Sequence, residues 1–146
     1  MTISLRDNFS CVAANLAIGT TTSKVRTTTN ITQYVINGQA YFKAATDDQW
    51  TLSGTALTTH QVCAFFLYLN AAGTASVEQS AIATASTAAS GYVAGAFGWP
   101  DPDGKSVIGA VLIKSAAAVF TPGTTALTSV ATYINMALDY GKPIAY

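Results

Sequence analysis

Apolar and polar residues fall along this chain in short stretches, each ended by a turn residue. From Ile31 to Ala44 the sequence ITQYVINGQAYFKA holds two β-prone runs around Asn37-Gly38. Both turn residues tolerate positive φ, so the pair predicts a tight hairpin. Val62–Leu69 is apolar throughout, with Val62, Ala64, Phe66 and Tyr68 on one face and Cys63, Phe65, Leu67 and Leu69 on the other. Asn70-Ala71-Ala72-Gly73 and then Thr74–Gln79 follow it, which predicts a second hairpin with a four-residue loop. A third apolar run begins at Lys105, after the turn Pro100-Asp101-Pro102-Asp103-Gly104. Simple alternation puts Val107, Val111 and Ile113 on one face and Ile108, Ala110 and Leu112 on the other. Strands apolar on both faces need cover on both, so these two runs are expected in a sandwich interior or at a subunit interface.

The remaining stretches are weaker in pattern. Residues 1–30 are rich in Thr, with the apolar island Leu16-Ala17-Ile18 before Gly19. Thr disfavours helix and suits a pleated surface, so this segment is expected to be an extended N-terminal arm with one or two short strands. Gln49–Ser53, with Trp50, predicts a short strand ended by Gly54. Ala81–Ser90 is open between a loop and a short helix, because Ser and Thr dilute its Ala-rich propensity. Gly91–Trp99 is Gly-rich and aromatic, Thr121-Pro122-Gly123 marks a break, Ser129–Leu138 is expected to close the sheet, and Gly141–Tyr146 is a tail. The expected fold is all-β: an antiparallel β-sandwich or barrel-like domain built from hairpins, with the arm over 1–30, the β domain over 31–146, and at most a short helix.

Composition narrows what such a domain can do. The chain has 146 residues, enough for one domain with a real core. Only 10% of residues are charged, 7 basic against 7 acidic, where a soluble domain carries about 25%. A neutral surface offers no field for phosphate backbones, which argues against nucleic-acid binding. It also gives little protection against self-association. No apolar run approaches the ~20 residues of a membrane-spanning helix, and the start MTISLRD lacks a signal-peptide pattern, so synthesis and folding in a cytoplasm are expected. Cys11 and Cys63 have no CxxC spacing and are expected to be buried free thiols.

Candidate chemistry is sparse. His60 is the one histidine, and no nucleophile signature accompanies it; Thr58-Thr59-His60-Gln61 reads as the polar lead-in to a strand. Asp101-Pro102-Asp103-Gly104 has two acids but no distal Glu, and a turn explains it better than a calcium loop. No metal, cofactor or catalytic set is expected. Most aromatics fit the strand pattern and therefore the core. Phe97 and Trp99 stand in a Gly/Pro-rich stretch and are candidates to anchor a partner, with capping of the sandwich end as the equal alternative.

Four phrases carry a resemblance: IGTTTSKVRTTTNITQYVINGQAYFKA (Ile18–Ala44), LYLNAAGTASV (Leu67–Val77), PDGKSVIGAVLI (Pro102–Ile113) and FTPGTTALTSVATY (Phe120–Tyr133). As an ordered set the chain resembles the structural proteins of tailed-bacteriophage virions, of the head-decoration (cement) or head-fibre kind. The resemblance implies a non-enzymatic protein, made in the host cytoplasm, that forms a homo-oligomer, commonly a trimer, on the capsid exterior. Its partners would be itself and the major capsid protein. The arm is then expected to make contacts through Ile18, Lys24 and Arg26, beside Phe97 and Trp99. The competing expectation is a tail- or fibre-associated receptor- or glycan-binding domain; a fibre tip usually follows a shaft of repeats, and this chain contains no internal repeat.

Overall fold

The computed structural model describes residues 8–84, 100 and 102–136. Its described residues form eleven strands and three antiparallel sheets. The largest sheet is built on β7 (Gln61–Asn70) and β10 (Lys105–Ser115), paired antiparallel along their whole length. β11 (Ala131–Asn135) flanks β10. β8 (Ala75–Gln79) and the short β9 (Ala83–Thr84) share the other edge of β7. A three-stranded sheet joins β1 (Phe9–Ser10), β4 (Ile31–Ile36) and β5 (Gln39–Ala44) in the order β1-β4-β5. Another joins β2 (Leu16–Ile18), β3 (Lys24–Thr27) and β6 (Trp50–Thr51) in the order β2-β3-β6.

The fold is therefore all-β, with the two small sheets layered on one face of the large one. The shared core takes Cys63, Phe65, Leu67 and Leu69 from β7 and Ile108, Val111 and Ile113 from β10. Against them lie Tyr34 and Ile36 from one small sheet, and Leu16, Val25 and Trp50 from the other. Three hydrogen bonds tie the layers where polar groups would otherwise be buried unpaired. The Tyr34 hydroxyl donates to the Asn70 carbonyl at 2.9 Å. The Trp50 indole N–H donates to the Tyr68 carbonyl at 3.0 Å. The Leu16 amide donates to Asn135 Oδ1 at 2.9 Å.

The opposite face of the large sheet holds a second buried cluster: Ala64, Phe66, Tyr68, Val107, Ala110 and Met136. Residues on both faces of β7 and β10 are thus buried within a single chain. The assignment of faces along β10 differs from simple alternation. The β7 register passes from Val107 opposite Tyr68 to Gly109 opposite Leu67, so one extra residue is inserted at Ile108. This β-bulge reverses the phase: Val107 shares a face with Ala110, and Ile108 shares one with Val111 and Ile113. Glycine makes the bulge possible, because a Cβ at Gly109 would collide with the Ile134 carbonyl oxygen and the Leu16 side chain.

The segment expected to be an extended arm is woven into the domain over its described part. β1 pairs with β4, β2 and β3 form a hairpin, and β3 pairs with β6. Ala14, Leu16 and Val25 lie in the main core. The physical reason is the alternation in KVRT, which turns Val25 and Thr27 inward and leaves Lys24 and Arg26 half-exposed. Ala83–Thr84 begins inside the stretch left open between loop and helix, and pairs with β7. Residues 85–99 and the expected tail lie outside the described residues.

Candidate docking surface

The Asn37-Gly38 hairpin has the expected turn, with φ of 49° at Asn37 and 79° at Gly38. Its strands pair from Ile36 opposite Gln39 to Ile31 opposite Ala44. One face carries Thr32, Tyr34 and Ile36 from β4 with Tyr41 and Lys43 from β5; the other carries Ile31, Gln33 and Val35 with Ala40, Phe42 and Ala44. Hydrophobicity alone would bury the second set. The structure buries the first: Thr32, Tyr34 and Ile36 are buried, whereas Ile31 is 55% and Phe42 65% exposed. Tyr34 fixes this orientation. Its ring stacks on Tyr41 at 5.8 Å between centroids, and its hydroxyl anchors to the β7 turn. The buried Thr32 hydroxyl has no hydrogen-bond partner, a cost of about 1–3 kcal/mol accepted to keep that register.

β1 widens the outward face. Phe9 lies opposite Val35, and the Cys11 amide donates to the Gln33 carbonyl at 2.8 Å, so Phe9 and Cys11 join the same side. Among the described residues, Gln33 is the one polar side chain of these strands on this face, and none of the strands' residues there is charged. Burial pushes the Cys11 thiol up, so it too is neutral near pH 7. Cys11 is half-buried and Cys63 buried, both as free thiols. Four large apolar side chains are strongly exposed among the described residues. Two of them stand on this face and a third, Val12, directly follows Cys11; Val119 lies apart.

The residues expected to bind a partner are not gathered here. Phe97 and Trp99 lie outside the described residues. Lys24 and Arg26 share the outer face of β3 with Ala17, whereas Ile18 pairs with Val25 on the inner side and packs on the core. The Arg26 Nε is buried without a partner. Nearby, Asp47 accepts from the Thr20 amide at 3.0 Å. Hydrogen bonding from Thr20, helped by the Arg26 charge, holds the Asp47 carboxyl below its ordinary value. These contacts staple the β2–β3 turn to the loop after β5.

His60 is exposed at φ 62° and its amide donates to the Ser115 carbonyl, leading the chain into β7. Among the described residues, His, Cys, Asp and Glu nowhere gather in threes. A groove of about 450 Å³ between β6 and β8 is lined by Gln49, Thr51, Ser53, Ser76 and Val77. Trp50 also borders it, but its indole is 1% exposed and bonded inward, so it offers no stacking platform. No family model, curated protein or solved structure matches the chain.

Proposed function

We propose that this chain is a non-enzymatic structural protein of a tailed-bacteriophage virion, which self-associates and decorates the capsid exterior by binding the major capsid protein lattice. The reading starts from the resemblance of its strand-and-turn phrases. The observation that carries it is the inverted hairpin: the more apolar, uncharged side of the β1-β4-β5 sheet faces out. An apolar block set outward supports docking better than singly scattered side chains do.

The size of that face fits a protein that acts in many copies. Two strands of six residues and one of two, spaced about 4.8 Å apart with a rise of about 3.3 Å per residue, give roughly 220 Å², against about 800 Å² per partner in a stable standard interface. One copy would hold weakly. Copies arrayed on a lattice gain by avidity, and each would tie neighbouring capsid subunits against expansion under internal DNA pressure. The receptor- or glycan-binding alternative would rest on Phe97 and Trp99 with nearby Asp101 and Asp103, of which Asp103 alone lies among the described residues.

Ile31→Lys tests the proposal. The side chain is 55% exposed, so the fold tolerates the change, while docking would have to dehydrate an ammonium at a cost on the order of several kcal/mol. Wild-type protein is expected to co-sediment with empty heads of its phage, and the variant to lose at least about 10-fold in occupancy. Wild type that ignores heads, or a variant that binds them equally, would sink the reading.

A further inference from the structure

The same sheet ends in an open edge whose sequence is complementary to itself. We infer that β5 pairs antiparallel with β5 of a second copy, about a twofold axis through Phe42. This contact is independent of what the apolar face docks on.

Hydrogen-bond parity defines the edge. The Ala45 amide donates to the Asn30 carbonyl at 3.1 Å, which makes residues 32 and 43, 34 and 41, and 36 and 39 the hydrogen-bonded pairs of the hairpin. The backbone groups of Ala40, Phe42 and Ala44 therefore point away from β4. Among the described residues one of them has a partner, the Ala44 carbonyl, which accepts from the Thr46 hydroxyl at 2.9 Å and keeps a second lone pair. Natural edges are normally blunted by charge, proline, a bulge or shortness. β5 has six residues, no proline and a regular register.

The other edge strands are shorter: β8 and β11 have five residues each. β1, β2 and β6 have two or three residues. The Gln79 side-chain amide crosses the β8 edge and bonds both the N–H and the C=O of Thr55, at 2.7 and 2.8 Å. Asn135 of β11 is engaged by the Leu16 amide. With six residues, β5 is the longest edge strand among the described residues.

Its sequence suits a twofold. With Phe42 opposite the partner's Phe42, Ala40 falls opposite the partner's Ala44, and each edge presents the donors and acceptors the other needs. The one charge, Lys43, falls opposite the partner's Tyr41 and not its own copy. Lys-over-Tyr contact already occurs within this chain, where Lys105 Nζ lies 4.2 Å above the Tyr68 ring. A net charge of +0 adds no repulsion between copies. Pairing also fuses two outward faces into a six-stranded one of roughly 440 Å². An isologous contact of this kind closes at two copies, in contrast to the trimer that the resemblance implies.

Cross-linking in a Cys11→Ala background tests the register. Phe42→Cys places two thiols about 5.5 Å apart between backbones, within reach of a bis-maleimide with a two-carbon spacer. Ala40→Cys places them about 14 Å apart, beyond it. The expected result is a covalent dimer from Phe42→Cys and none from Ala40→Cys, with light scattering giving a dimer that Phe42→Lys converts to monomer. Phe42 is 65% exposed, so an unchanged circular dichroism spectrum certifies the fold of each variant. A monomeric wild type, a trimer indifferent to Phe42→Lys, or equal cross-linking at 40 and 42 overturns the pairing. Monomers that still decorate heads would defeat the pairing alone, and dimers that ignore heads would defeat the decoration reading alone.

Discussion

At the scale of single residues, Gly109 decides how the central strand faces its surroundings. It follows the inserted Ile108, and its missing side chain leaves room for the Ile134 carbonyl and Leu16. Gly109→Ala is expected to cost about 1–3 kcal/mol, as overpacking does in a close-packed interior. A lower urea midpoint at unchanged slope would show it; an unchanged midpoint would mean that the neighbouring strand yields freely. Alternation could not reveal the bulge, because a period of two is blind to one inserted residue. The available sign was a glycine inside an otherwise apolar run, which marks either a bulge or a close backbone approach. Here it marks both.

Among the elements, the two hairpins were legible because their turns are chemically specific: Asn37-Gly38 takes positive φ at both positions, and the Asn70 side chain accepts from the Ala72 and Thr74 amides. The facing of the first hairpin was not legible. It depends on Tyr34 finding the Asn70 carbonyl 36 residues away, a partner that no local window contains. How the N-terminal segment packs was not legible for a related reason. Its Thr-rich strands look peripheral one by one, and their cover comes from β4 and β6, later in the chain. Removing residues 1–30 would strip Ala14, Leu16 and Val25 from the main core. Leu and Val alone stabilise by about 1.5–3 kcal/mol each, against a typical total of about 5–15 kcal/mol. The truncated chain is expected to lose its cooperative thermal transition; a preserved one would show that the large sheet stands alone.

For the whole molecule, scarcity of charge moves pH sensitivity from carboxylates to buried phenols. Burial raises the hydroxyls of Tyr34, Tyr68 and Tyr133, and the Tyr68 bond to Glu78 at 2.9 Å raises that one further. The folded state holds these protons more tightly than the unfolded chain, whose tyrosines titrate near pH ~10. Their stabilisation is complete below that value and is lost as pH climbs through the folded ones. Stability is expected to fall above about pH 10, with a shallower fall in Tyr68→Phe; urea midpoints across that range decide it, and parallel curves would remove Tyr68 from the account. The order of the strands has a different consequence, in time. β7 is apolar on both faces and pairs along its whole length with β10, which begins 35 residues after β7 ends. At about 5–20 residues per second, a ribosome delivers that partner roughly 2–7 s later. For that interval the stickiest strand of the protein waits beside its own hairpin mate with one edge bare, and fast, crowded synthesis gives neighbouring nascent chains the first chance to fill it.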